Sequence, residues 1–198
     1  MDRISLSYFV DFVLKAGTPK LTGVREFKEN KDDIYADFYK PVREAILEMH
    51  RTSASPDCLD TFLAAQTDER RKRIYPPIVE GYRKFLKSAK VAWFNPPAGA
   101  YALGGLEINI NPELGLNIDG VPHLVKMYFR GEPLSAKRVQ VVLNLLTSSG
   151  LGNAVPGCVF AMLDVRKARI HTLKSPNPRI NLLLRGEAAS FSTIYAGL

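Results

Sequence analysis

The chain has 198 residues, 46% hydrophobic and 24% charged, a length and composition that exclude a disordered, collagen-like or disulfide-stapled chain and suit one globular domain. Twenty-seven Lys and Arg against 20 Asp and Glu give a formal net charge of +7 and a pI near 9.4. That balance either attracts a polyanion, DNA or RNA, or serves solubility alone. Cys58 and Cys158 stand far apart with no CxxC pair, so neither a disulfide framework, a disulfide-linked partner nor a zinc site is expected.

The amino-terminal stretch MDRISLSYFVDFVLKAG has an apolar core broken by Asp11 and lacks a small-residue cleavage site. It reads as an amphipathic helix rather than a signal peptide. Ser5 caps that helix, Leu6, Phe9, Val13 and Leu14 form its stripe, and Gly17 followed by Pro19 ends it. With no run of about 18 apolar residues anywhere, no membrane span is expected, and the location expected is cytoplasmic. A second helix is predicted to start near Asp32 and Asp33 and to carry Ile34, Phe38, Val42 and Ile46, with Pro41 kinking or dividing it. Asp68 and Glu69 open a strongly basic helix that Pro76 and Pro77 should interrupt. Val79, Tyr82, Phe85 and Leu86 then give an apolar face.

Beyond Trp93 the turn-rich segment Asn95-Pro96-Pro97-Ala98-Gly99 introduces β-type sequence. Tyr101 to Ile110 alternates in part, Leu114 to Ile118 is a short strand, Asp119-Gly120 is a hairpin signal, and Val121 to Arg130 returns. In the returning strand Val125, Met127 and Phe129 form an apolar face that should meet helices, while Leu124, Lys126, Tyr128 and Arg130 carry the polar side. Pro133-Leu134-Ser135 starts a helix, Val159 to Val165 is a strand, Arg166-Lys167-Ala168 a turn, and Ile170 to Leu173 its partner. Cys158 leads into that apolar run and reads as a buried structural thiol. The tail opens with INLLL, strand or helix by pattern, and reads as mostly helical. The fold class is therefore α+β, one domain over 1–198, helical over 1–90 and packed on a mostly antiparallel sheet over 91–198.

No nucleotide-binding glycine loop or nucleophile elbow occurs, and His50, His123 and His171 stand in no ligand spacing. The strongest signal is cationic: Arg71, Arg73, Lys84, Lys87, Arg138 and Arg166 stand in four separate clusters. If these share a face they form a phosphate-contacting track; if they scatter they are solvated surface. Tyr75, Tyr82, Trp93 and Tyr101, near the first basic stretches, either stack bases or pack the core.

The order helix, three-strand meander, helix, strand over about residues 78–165 resembles the αβββαβ core of the restriction-endonuclease-like superfamily, the PD-(D/E)XK nucleases. The resemblance implies an acidic residue on the second core strand and a D/E-x-K on the third, holding Mg2+ or Mn2+. On it, Glu107 in GGLEINI takes the first acidic and metal-binding position, Glu80 the accessory carboxylate, and Lys126 in VPHLVKMYFRGE the lysine. Gln140 matches a glutamine of RecB-like members. Leu124 stands where the carboxylate before Lys126 belongs, so the implied protein is nucleic-acid-associated, nuclease-like and non-cutting. Two alternatives stay open: an active metal-dependent nuclease using Glu80, Glu107 and Lys126, or a protein-interaction module of a multi-component bacterial system docking through its helical front half. Around the hairpin, Glu113, Asp119 and Lys126 either make another polar patch or, more simply, Asp119 belongs to the turn and Glu113 to solvent.

Overall fold

The computed structural model describes residues 3–29, 37–173 and 175–198. In chain order the elements are β1 (Arg3–Ser5), α1 (Leu6–Leu14), α2 (Thr18–Glu29), α3 (Lys40–Arg51), α4 (Cys58–Ala64), α5 (Glu69–Ser88), β2 (Val91–Phe94), β3 (Gly99–Leu103), β4 (Leu106–Ile110), β5 (Leu114–Ile118), β6 (Val121–Tyr128), α6 (Ala136–Ser148), β7 (Val159–Asp164), β8 (Arg169–Thr172) and α7 (Pro178–Gly197). The class is α+β, with two mixed sheets among the described residues.

The larger sheet has the order β2-β5-β6-β7-β8. β2 and β6 flank β5 antiparallel, β7 runs parallel to β6, and β8 returns antiparallel. Asp119 and Gly120, both at positive φ (50° and 89°), make the two-residue turn between β5 and β6 whose twist suits the hairpin. Asp119 also accepts from the Lys90 amide at 3.0 Å, which ties that turn to the start of β2. The parallel β6–β7 pair needs a crossover, and α6 supplies it, started by the Ser135 hydroxyl accepting from Arg138 N.

Alternation along β6 and β7 divides the interior into two cores. Val125, Met127 and Phe129, with Ala161, Leu163 and Val165, face α3, α4 and α5. Tyr128 and Met162 face the other way, towards α1, α6, α7 and the smaller sheet β1-β4-β3. The second face of β6 is therefore not a polar side: Leu124 and Tyr128 are buried there, because α6 crosses back over it.

Four further expectations change. Gly17 and Pro19 do not only stop α1; Pro19 lies in the first turn of α2, where a missing N–H costs nothing. Pro41 likewise opens α3 instead of dividing it. The predicted start at Asp32, Asp33 and Ile34 lies outside the described residues. Pro76 and Pro77 sit inside an unbroken α5. Both are exposed, as are Lys72 and Arg73 four residues earlier, so the freed carbonyls lie on the solvent side while buried Tyr75, Ile78 and Val79 pin the helix to the sheet. Lastly, α1 is spent on the core: Leu6, Phe9, Val10, Phe12 and Val13 are buried, which removes the apolar stripe as a docking surface. No helix among the described residues is long and apolar enough to cross a membrane.

Candidate functional site

A cleft of about 710 Å3 is walled by α1 on one side and α3 on the other, and floored by the start of β5 and the end of β6. Its lining holds six cationic side chains, Lys40, Arg43, Arg51, Lys126, Arg130 and Arg138, against the carboxylates of Asp11, Asp37, Glu44 and Glu113. Leu47, Met127, Phe129 and Met162 give it an apolar base, and Trp93 and Asn95 stand at its edge.

At the floor, the Glu113 amide donates to Val125 O at 3.0 Å, and its carboxylate Oε2 accepts from Met127 N at 2.9 Å. The side chain thus continues the β5–β6 ladder where the backbone turns away. Its other oxygen takes the Lys126 ammonium, which also reaches Asn111 O at 3.3 Å. Both side chains of this ion pair are only 12% exposed. A pair so placed is costly to break from one side, since the survivor is left charged and largely dry. Glu113 is therefore not a solvent residue, contrary to the simpler sequence reading.

Higher in the cleft, Asp11 of α1 takes two guanidinium groups at once: Arg130 Nη2 donates to Oδ2 at 2.6 Å and Arg138 Nη2 to Oδ1 at 2.7 Å. Burial alone would weaken the Arg130 cation, but the hydrogen bond and charge of Asp11, with Glu132, outweigh it and hold the guanidinium above its ordinary pKa. Arg138 also lies over the Tyr128 ring, 5.9 Å from its centroid. On the α3 wall, Arg43 pairs with Asp37, and Arg51 reaches Glu44 and Glu48 at 3.9 Å. Lys40 is exposed at the rim. Trp93 Nε1 is buried with no hydrogen-bond acceptor, an uncommon condition for an indole N–H.

The sequence-predicted residues are mostly not brought together. Lys126 lines the cleft. Glu107 lies on β4 of the smaller sheet, opposite Arg3 in register and bonded to its Nε at 2.8 Å. The second strand of the larger sheet's meander is β5, and the carboxylate at its start is Glu113; the signal for it was the Asn-Pro-Glu turn just before a strand. Glu80 is exposed on α5, paired with Lys84 at 3.6 Å, on the sheet face opposite Lys126. Gln140 is exposed on α6, and its backbone carbonyl accepts from Asn144. A divalent ion does not fit the cleft. Glu113 and Asp11 already spend both oxygens on cations or an amide, Leu124 is apolar, and the described residues contain no group of three His, Cys, Asp or Glu side chains able to hold a metal.

The basic residues divide between opposite faces. Arg73, Lys84 and Lys87 are exposed along α5, with Arg71 half-buried beside them, whereas Arg138 is across the sheet in the cleft. Arg166 is structural: its Nε donates to Phe129 O at 2.7 Å and its Nη2 to Ile74 O at 3.4 Å. Of the aromatics, Tyr75 and Tyr82 are fully buried core, Tyr101 packs at the edge of the α6-side core, and Trp93 alone of the four lines the cleft. In comparison with known proteins, the chain matches no family model, no curated protein and no solved structure.

Proposed function

We propose that this protein associates with nucleic acid through the α1–α3 cleft, on a nuclease-like core that binds without cutting. The observation that carries the reading is the larger sheet. Its five strands stand in sequence order, with the second and fifth antiparallel to the rest, a helix before the first and a helix crossing from third to fourth. Glu113 and Lys126 sit at the start of the second strand and towards the end of the third. With β3 and β4 set aside in the smaller sheet, that strand order supports the αβββαβ resemblance, and the cleft carries a surplus of cations where a phosphate backbone would lie. Fold does not dictate function. The cationic cleft at that location is what favours nucleic acid.

Cutting is not part of the reading. The ammonium of Lys126 is neutralised by Glu113, and Leu124 offers no oxygen beside it, so nothing positions a metal-activated water.

Anisotropy of labelled single- and double-stranded DNA across a salt series tests the proposal. Binding should reach a Kd of about 10⁻⁴–10⁻⁶ M near physiological salt, tighten steeply as salt falls, and change the emission of Trp93, the only tryptophan. Reversing the charge of Lys40 and Arg51 should weaken it at least about tenfold. No binding at low salt, or binding untouched by those reversals but lost with Lys84→Glu and Lys87→Glu, would overturn the cleft as the interface. Cleavage of either DNA with Mg2+ or Mn2+ would overturn the non-cutting core.

A further inference from the structure

We infer that Arg130 and Arg138 form a phosphate-binding fork, with the Asp11 carboxylate as the internal anion that occupies it. This deepens the nucleic-acid reading by naming a subsite, and it stands on geometry that does not require nucleic acid.

Two guanidinium groups converge on one carboxylate at 2.6 and 2.7 Å, one donor to each oxygen. Convergent arginines of this kind suit the tetrahedral, multiply accepting phosphate at least as well as a carboxylate, which uses only two of their N–H groups here. The fork is held from behind. Arg138 is 16% exposed, lies over Tyr128, and starts from the capped first turn of α6. Arg130 follows the last residues of β6, and Glu132 reaches it at 3.6 Å from the solvent side. Asp11, by contrast, comes from a separate element, α1, and is 30% exposed.

Position supports the same conclusion. Asp11, Arg130 and Arg138 line the 710 Å3 cleft and also a second cavity of about 340 Å3 bounded by Tyr8, Lys15 and Glu26. The ion triad is the wall between the two. An incoming phosphate has room to meet both arginines from the cleft while the carboxylate swings towards the second cavity, whose lining includes the Lys15 ammonium. Exchange of one anion for another leaves the fork neutralised throughout, so the arginines never stand bare in a partly dry site. The ligand class is a phosphate group bearing one or two charges: the end of a phosphorylated strand, a backbone diester, or inorganic phosphate.

The test is Asp11→Asn, which keeps the side-chain shape and one acceptor but removes the competing charge. Binding is read for inorganic phosphate by calorimetry and for 5′-phosphorylated and unphosphorylated oligonucleotides by anisotropy. The expected result is phosphate binding about tenfold or more tighter than in the native chain, lost again in Asp11→Asn/Arg138→Gln and in Asp11→Asn/Arg130→Gln. A folded Asp11→Asn protein with no gain, or a gain that survives loss of either arginine, would refute the fork and leave the triad as a structural bridge. Asp11→Ser makes the same test should the Asn variant not fold. Tighter inorganic phosphate with no oligonucleotide binding would keep the fork and sink the nucleic-acid reading. Nucleic acid bound equally by the native and Asp11→Asn proteins, with no phosphate gain, would do the reverse.

Discussion

Gly81, in the middle of α5, allows the packing of helix on sheet to be tested against a general rule about helices. Replacing a helical glycine by alanine ordinarily stabilises a protein by about 0.5–1 kcal/mol, because glycine loses more backbone freedom on folding. Here a Cβ at position 81 would stand 2.1 Å from Val165 O and 2.8 Å from Arg166 O, where ordinary contact begins at 3.4 Å. The obstructing atoms are backbone. They belong to the β7–β8 turn, which is clamped by Val165 N donating to Tyr128 O and by Arg166 on Phe129 O and Ile74 O. Relief requires α5 and the sheet to part by about 1 Å, an overpacking cost of roughly 3 kcal/mol that exceeds the helical gain. Gly81→Ala should lose about 2 kcal/mol, measured by urea unfolding through Trp93 fluorescence, with Tm falling by roughly 4–8 °C. Gly186 in α7 is the control, because a Cβ there meets nothing within 4 Å; Gly186→Ala should gain about 0.5–1 kcal/mol. If Gly81→Ala is as stable as the native protein while the control behaves as stated, the close approach of α5 to that turn is wrong.

A double-mutant cycle on Glu113→Gln and Lys126→Met should return a coupling of roughly 1–3 kcal/mol by denaturant titration, since each partner left alone is a nearly buried charge. Burial lowers His50, which shares a hydrogen bond with Tyr82, from 6.5 to about 4. Between those values the unfolded chain holds the extra proton, so stability is complete above about pH 7 and falls as pH drops towards 4. The full shift is worth roughly 3 kcal/mol, reduced to about 2 by partial exposure, and His50→Gln should flatten this part of the pH–stability curve. Asn144, fully buried on α6, donates to Gln140 O and accepts from Asn177 N, both at 2.7 Å. Asn144→Ala should cost about 2 kcal/mol and speed amide exchange at the start of α7, which it tethers.

What was legible in the sequence was whatever local chemistry decides. Ser5 caps the helix it was expected to cap, α6 starts directly after Pro133-Leu134-Ser135 as expected, Asp119-Gly120 makes its hairpin, and the alternation of β6 places Val125, Met127 and Phe129 against helices. Elements set by distant partners were not legible. β1 is three residues long and is a strand only because Glu107 to Asn109 pair with it. The stretch 101–110 read as one alternating run, yet it is two strands of a separate sheet, folded at Gly104 and Gly105. α2 was missed because Pro19 was taken as a stop, while its short inward stripe, Gly23, Val24 and Phe27, acquires meaning only against α7 and its Phe191 and Tyr195. For the site, Lys126 stood out on its strand, whereas the simpler reading gave Glu113 to solvent. Its burial depends on the register that sets Leu114 opposite Val125, and no local pattern announces that.

The β1–β4 pairing also constrains the order in which the chain can assemble on the ribosome. Residue 3 is made before its parallel partner, residue 107, and the helices that cover Phe9, Phe12 and Val13, α6 and α7, come later still. The α1 helix must therefore keep its apolar stripe waiting until α7 has been made. The α3–α5 layer reaches its strands sooner and can pack first, so α1 settles after it although α1 precedes it in the chain.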